Sequence, residues 1–484
     1  MERGGRKGRP FLRHDADPHL QNRAGITIIE GSTKRRVEAV KKQTVGLSPN
    51  RVIALGFLAI ILGGALLLML PFANRTGRGL SFLDSLFTAT SATCVTGLVV
   101  ADTWTQFSLP GQIVLLALIQ VGGLGYMTMM LQASLLLGKK VGLRQRSMMM
   151  ESVSAQRLSD VLALLRYILW GTAAIEGAGA VLLALRFVPE LGWARGIWYA
   201  VFHSVSAFCN AGFDLMGFRE PYSSLTHYVF DPLVNLTAVA LILLGGLGFL
   251  VWRDVMEKGL RFRLYSLHTK LIVTASAVLV AGGTALFWWA EDENLLAGMD
   301  VGQKLLVSLF QAVSPRTAGF NTVDLAKLTS GGGLLTIVLM FIGAGPGSTG
   351  GGVKITTVVV CLLTLGGYIR GRREVGAFNR RLDEEQIHRS AAGVTLYITM
   401  AMAGGFLILA TQPFPLQDAL FEVFSAMSTV GLSTGITREL SAVNRAVVIV
   451  MMYCGRIGSL SMMMALAQRT PPRVKDPVEQ ITIG

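Results

Sequence analysis

The 484-residue sequence has little charge: only 15% is Asp, Glu, Lys or Arg, while 51% is hydrophobic. Soluble domains carry about 25% charged residues, so this composition excludes an ordinary soluble fold. There are four cysteines, Cys94, Cys209, Cys361 and Cys454, without CxxC or metal-ligand spacing. That excludes a disulfide framework and a zinc site. No phosphate-binding P-loop or catalytic constellation is present, so any nucleotide control has to come from a partner. The first 50 residues are polar and lack the apolar run of a secretory signal; they read as a cytoplasmic tail (1–50).

What the chain has in quantity is apolar sequence and glycine. Several stretches reach the roughly 20 residues that a hydrocarbon core requires. The 55 glycines suit closely packed membrane helices. The net charge of +14 sits in the N-terminal tail and in three loops. These carry Lys139, Lys140, Arg144 and Arg146; Arg253, Lys258, Arg261 and Arg263; and Arg370, Arg372, Arg373, Arg380 and Arg381. Basic clusters beside apolar spans mark the cytoplasmic side and face anionic membrane lipids. This distribution argues against a nucleic-acid partner.

One short phrase occurs four times: Ser91–Leu98, Ser206–Phe213, Val313–Phe320 and Ser425–Leu432. Its glycines, Gly97, Gly212, Gly319 and Gly431, fall 115, 107 and 112 residues apart, the signature of an internal repeat. Around each phrase the pattern predicts a long apolar helix, a short amphipathic helix, the phrase, and another apolar helix. The expected spans are Val52–Pro71 and Pro110–Leu137, Val161–Phe187 and Pro232–Val251, Leu267–Ala290 and Leu334–Tyr368, and Ile387–Thr411 and Val443–Ala467. The short helices cannot cross a bilayer and read as re-entrant, with irregular backbone lining an aqueous path. The fold expected is therefore all-α and polytopic: eight spans and four re-entrant helices around a central pore. The repeats are assigned to 51–140, 159–253, 266–370 and 387–468, with a C-terminal tail at 469–484. This arrangement puts every basic loop and both termini in the cytoplasm, in a multi-pass protein of the cell membrane. Asp84 and Asp418 are expected to cap their short helices or to favour the positive end of the helix dipole.

A dehydrated monovalent cation needs several oxygen ligands without a charge that traps it, and backbone carbonyls supply them. Glycine permits the dihedral angles that aim successive carbonyls inward. The candidate ligands are the carbonyls of Cys94, Val95, Thr96 and Gly97; Cys209, Asn210, Ala211 and Gly212; Arg316, Thr317, Ala318 and Gly319; and Ser428, Thr429, Val430 and Gly431. The Arg316 side chain is expected to point away from the ion path.

Two features break the fourfold pattern. The last span of the third repeat is interrupted by Gly343, Gly345, Pro346, Gly347, Ser348, Thr349, Gly350, Gly351 and Gly352. Proline and repeated glycine cannot sustain a helix. The segment reads as a mobile gate (343–352) in the pore, against the plainer reading of a packing kink. Arg456 lies inside the last span, where a guanidinium is costly and marks a pathway or a partner. Gating or cation repulsion competes there with snorkelling to the interface. Glu176 is a rival functional candidate, with a buried structural pair as the alternative. His203 reads as packing or a local hydrogen bond, and Met148–Met150 and Met462–Met464 as packing.

The phrases Ala89–Gly97, Arg316–Phe320 and Ser428–Leu432 resemble the filter loops of the Trk/Ktr/HKT potassium-transporter superfamily, and the match covers nearly everything after the tail. Eight spans without an additional leading pair resemble KtrB-type membrane subunits of bacterial Ktr systems rather than TrkH. The resemblance implies potassium uptake, often sodium-stimulated, by a homodimer with one pore per subunit. It also implies a cytoplasmic ring of KtrA-type subunits that bind nucleotide (ATP or ADP). Glycine in all four loops accompanies potassium selectivity in the superfamily; Cys94 replaces a common Thr, which puts packing behind the first loop in question. The resemblance further matches 343–352 to an intramembrane gating loop and Arg456 to an arginine opposing it. A sodium-preferring or poorly selective transporter is the runner-up. From another class, a membrane enzyme would use Glu176, His203 and the cysteines.

Overall fold

The computed structural model describes residues 49–125, 128, 161–372 and 374–458. The tails, the loop with Lys139 to Arg146, and both methionine runs lie outside these residues. The first repeat comprises α1 (Pro49–Met69), the short α2 (Phe82–Thr93) and α3 (Leu109–Leu124). The second comprises α4 (Val161–Leu191), the short α5 (Trp193–Phe208), α6 (Pro232–Leu247) and α7 (Phe249–Lys258). The third has α8 (Leu267–Glu291), the short α9 (Val301–Val313), α10 (Ser330–Phe341) and α11 (Ile355–Ile369). A hairpin of β1 (Gly376–Ala377) and β2 (Arg380–Arg381) leads to α12 (Glu384–Thr411), the short α13 (Leu416–Met427) and α14 (Ala442–Ile457). Within the described residues the first helix of every repeat is long and apolar enough to cross a bilayer alone. The second helices are shorter.

One expected span, Pro232–Val251, is corrected, while the later parts of Pro110–Leu137 and Val443–Ala467 lie outside the described residues. Helices α3, α6 and α14 stop at Gly125, Gly248 and Gly458, with φ of 80°, 99° and 90°. Such angles are open to glycine and strained for other residues. At Gly248 the chain turns by 95° into α7, instead of running straight to Val251. Of the two roles expected for the aspartates, the structure shows the second, a place at the positive helix end rather than the cap itself. Ser81 caps α2, its Oγ accepting from the Asp84 amide at 3.1 Å, while Asp84 sits in the first turn. Pro415 precedes α13, and Asp418 likewise lies in the first turn, near the positive helix end.

The repeats close into a ring by a cyclic packing rule. Helix α3 packs on the next repeat's short helix α5, α6 on α9, α10 on α13, and α14 back on α2. Two polar ties seal the last joint: Arg445 Nη1 pairs with Asp84 at 2.5 Å, and Tyr453 Oη donates to the Ala54 carbonyl at 2.6 Å. Buried apolar clusters fill the space between repeats, whereas Leu66, Trp170, Val181 and Phe406 face outward as a lipid-exposed belt.

Two basic loops meet on one side, where Phe262 stacks edge-on against Phe378 with centroids 6.0 Å apart. Helix α8 starts at that side and ends at Glu291, so the acidic Glu291–Glu293 segment lies at its far end. Beyond the spans, Asp254 joins α7 to α8, accepting from Lys258 Nζ at 2.5 Å, Thr269 Oγ1 at 2.6 Å and Ser266 Oγ at 2.7 Å. Partial burial disfavours its charge, but these donors outweigh burial and hold the carboxyl below the ordinary aspartate range.

Candidate functional site

Three short helices hand over to their phrases by the same five-residue turn, and that of the third repeat by a four-residue one. The amides of Thr96, Ala211 and Val430 donate to the carbonyls of Ser91, Ser206 and Ser425 at 2.8 Å, and that of Ala318 to Ser314 at 2.9 Å. Two residues before each glycine the backbone is left-handed: Val95, Asn210, Thr317 and Thr429 have φ of 51°, 57°, 75° and 52°. Such a conformation costs an L-residue about 1–2 kcal/mol. The glycines are left-handed too, at 94°, 69°, 81° and 96°, while the residues between are not. An alternation of hand is what turning successive carbonyls to one side requires, as in a carbonyl-lined ion path.

The four loops converge. A Cβ placed on Gly97 would lie 2.6 Å from the Ala211 carbonyl oxygen, and one on Gly212 would lie 2.9 Å from that of Ala318. A Cβ on Gly319 would collide with the Val430 carbonyl, and one on Gly431 with the Thr96 carbonyl. The order 97, 212, 319, 431 and back to 97 is a closed ring in which every glycine abuts the next loop's carbonyl. Serines brace it from behind. Ser91 and Ser425 Oγ accept from the Gly97 and Gly431 amides at 3.1 Å. Ser206 donates to the Phe213 carbonyl at 2.7 Å, and Ser314 to that of Phe320.

Three residues before each glycine, the side chains anchor the loops to the surrounding helices. Ser428 Oγ meets Tyr397 Oη at 2.6 Å, and Cys209 Sγ lies 3.4 Å from Gln120 Oε1. Arg316 donates from Nη2 to Ser276 Oγ at 3.0 Å, and its Nε and Nη1 have no partner among the described residues. Cys94 is fully buried in an apolar cluster with Ile61, Phe87 and Met427. Since only its carbonyl faces the path in this reading, Cys94→Ala is expected to keep potassium-over-sodium selectivity within about twofold, as read by ion flux; a collapse of selectivity would assign the side chain a role. One position further on, the Asn210 amide oxygen accepts from Thr317 Oγ1 at 3.2 Å, and its NH2 donates to the Ala207 carbonyl at 3.0 Å. Glu176 accepts from Gln120 Nε2 at 3.2 Å, so its pairing is with a neutral amide. His203 is held between the Tyr199 carbonyl at 2.7 Å and the Leu215 amide at 3.3 Å, a local hydrogen-bonding role.

The interrupted segment is pressed against one side of the ring. A Cβ on Gly350 or Gly351 would strike Thr317 Oγ1 or Thr429 Oγ1, and one on Gly352 would lie 3.2 Å from Ser428 Cα. Thr349 Oγ1 donates to the Phe208 carbonyl at 3.0 Å. The other end of the segment leans on the α6–α7 bend: Gly345 N donates to the Gly246 carbonyl at 2.8 Å, and Phe249 N to that of Gly347 at 2.9 Å. Gly343 N donates to the Val353 carbonyl at 2.9 Å, closing the segment on itself. Ser348 Oγ and the Pro346 ring take no part in these ties; the Ser348 hydroxyl has no partner among the described residues. Arg456 does not snorkel. Its guanidinium donates to the Thr349 carbonyl and to those of Gly122 and Gly123, spanning the path from the fourth repeat to the segment and to the first repeat.

A second repeated phrase escaped the sequence reading: Gly122-Gly123-Leu124-Gly125, Gly245-Gly246-Leu247-Gly248 and Gly455-Arg456-Ile457-Gly458. Its leading glycine touches the end of the repeat's own short helix, since a Cβ on Gly122, Gly245 or Gly455 would collide with the carbonyl of Thr93, Phe208 or Met427. Arg456 stands where the other two copies have their second glycine. Lys354 was missed as well; its Nζ donates to the Gly350 carbonyl at 2.7 Å. The shared spacing of Gly122 and Gly125, Gly245 and Gly248, and Gly455 and Gly458 was the available signal.

A closed ring of aligned carbonyls between short helices inside an apolar bundle defines a membrane protein that passes cations. The chain belongs to the TrkH family of cation transport proteins, which matches residues 52–473. It is 40% identical to the Ktr system potassium uptake protein B of Bacillus subtilis over 91% of this chain and 98% of that one. It is 37% identical to the potassium/sodium uptake protein NtpJ of Enterococcus hirae, over 90% and 98%. The fold is similar to the crystal structure of the potassium transporter TrkH from Vibrio parahaemolyticus, with TM-score 0.69, 18% identity and coverage of 88% and 86%.

Proposed function

We propose that this chain is the pore-forming membrane subunit of a potassium uptake system, passing potassium down its electrochemical gradient through the glycine ring. The closed ring carries this reading: four left-handed loops direct uncharged oxygens at one axis, which suits a monovalent cation. Similarity along nearly the whole length to a protein named for potassium uptake supports the choice of ion. The sixteen carbonyls from Cys94–Gly97, Cys209–Gly212, Arg316–Gly319 and Ser428–Gly431 form the filter in this reading, and 343–352 with Arg456 the gate. Purified protein in liposomes is expected to pass potassium and rubidium well ahead of sodium in flux assays. Sodium passing as fast as potassium would overturn the selectivity.

The second reading is a carrier of both ions, favoured by the similarity to a potassium/sodium uptake protein. The same assay separates the two. A KtrA-type cytoplasmic ring that binds ATP or ADP is the proposed controlling partner, supported by the Ktr-system name of the relatives. The proposed assembly is a homodimer with both termini in the cytoplasm, where the basic loops meet.

A further inference from the structure

Outside the ring lies a cavity of about 170 Å³ bounded by Gly97, Gly212, Gly319 and Gly431 and by the outer loops that follow them. In the ring order, Gly212 and Gly431 are diagonally opposite. The loop after Gly212 carries Tyr222, and the loop after Gly431 carries Arg438; both line this cavity. The Arg438 guanidinium carbon lies 4.6 Å from the centroid of the Tyr222 ring, a cation–π contact that arches over the mouth between opposite repeats. The platform beneath the guanidinium is fixed. Tyr222 and Ser224 are held at φ of 64° and 51°, angles that persist only where surrounding structure enforces them. Asp102 of the first repeat accepts from the Tyr222 amide at 2.9 Å. Asn321 of the third repeat donates to Ser224 Oγ at 3.2 Å and accepts from the Leu225 amide at 3.0 Å. All four repeats thus contribute to one arch.

The charges facing this space are unequal in their freedom. Asp102 uses one oxygen on Tyr222 and the other on the Thr105 amide at 2.7 Å. Asp324 accepts from the Ala326 amide at 3.1 Å and lies 3.4 Å from Lys327 Nζ. Asp214 accepts from the Met216 amide at 2.8 Å. The Arg438 guanidinium makes no hydrogen bond or ion pair among the described residues; stacking alone holds it. Its positive charge is therefore uncompensated by a direct partner at the narrow approach to the ring, where low-dielectric walls focus its field.

We propose that Arg438, held on Tyr222, is a specificity-determining residue that excludes divalent cations from the outer mouth while letting monovalent cations pass. Electrostatic work scales with the charge of the ion. A potential that weakens monovalent occupancy by some factor weakens divalent occupancy by the square of that factor. The proposal rests on the reading of this protein as a potassium pore, and the test separates the two.

Rubidium uptake into liposomes holding the purified protein is measured against external rubidium and against external Mg2+. In Arg438→Gln the half-saturating rubidium concentration is expected to fall about threefold, and the half-blocking Mg2+ concentration about tenfold. Arg438→Lys, which keeps the charge, is expected to stay near wild type in both. Unchanged Mg2+ block in Arg438→Gln, equal shifts for the two ions, or a Lys variant that behaves like the Gln variant would each overturn the proposal. Should Arg438→Gln fail to fold, Arg438→Cys labelled with a cationic thiol reagent should restore resistance to Mg2+, and an anionic reagent should deepen the block; the same block with both overturns it. Wild-type protein that takes up no rubidium would instead overturn the potassium-pore reading.

Discussion

Gly431→Ser is expected to reduce potassium flux at least tenfold and to abolish discrimination against sodium in liposomes. Two effects combine. At φ of 96° a residue with a Cβ is strained, by about 1–2 kcal/mol. The new Cβ would also collide with the Thr96 carbonyl and lie 2.8 Å from Gly97 Cα. The first cost alone is tolerable. The second is not, because the obstacle is backbone that is itself a proposed ligand, so the ring must open for the side chain to fit. Gly282→Ala is the matching control: nothing lies within 4 Å of its Cβ position on α8, and its flux should be that of wild type. Retained flux and selectivity in a correctly assembled Gly431→Ser protein would remove the filter assignment.

Arg456→Gln is expected to raise basal flux about tenfold in the absence of any regulatory partner. Arg456 is bound to three carbonyls, one on the interrupted segment and two at the end of α3. Hydrogen bonds from a charged group contribute about 1.5–3 kcal/mol each, and about 1.4 kcal/mol is a factor of ten in an equilibrium. Loss of even one such bond shifts the segment's closed–open balance by about that factor. The substitution also removes a positive charge from the path below the ring. Deleting Gly345–Gly350 should act in the same direction, because it removes Thr349 and the glycine that abuts Thr317. Basal flux equal to wild type, in protein that still assembles, would show that neither element obstructs conduction.

The repeat and the approximate limits of the short helices were legible because both are periodic properties of the chain. The short helix expected before each phrase is found in every repeat, as α2, α5, α9 and α13. The closed order of the ring was not legible. It depends on which carbonyl each glycine abuts, and those partners lie more than 100 residues apart. The break at Gly248 was hidden by the apolar residues on either side, which kept hydropathy high across a change of direction. The charges beside the ring divide in the same manner. Arg456 stood out as a charge inside a span, but the acceptors that make it a tie rather than a snorkelling side chain come from two other repeats. Lys354 closes an apolar break and resembled an ordinary helix-end cation. Arg438 and Tyr222 are separated by 216 residues, and nothing in either loop announces the other.

The cyclic packing of one continuous chain has a further consequence. A ring assembled from four identical subunits would repeat every change fourfold, so an arginine below the carbonyls would place four guanidiniums around a path that one cation must use. Here each quadrant is encoded separately. A single quadrant can acquire a broken helix, another a single arginine, and a third a tyrosine platform, while the glycines that must agree remain in register. Covalent linkage thus lets selectivity be held in common by all four quadrants and control be vested in particular ones.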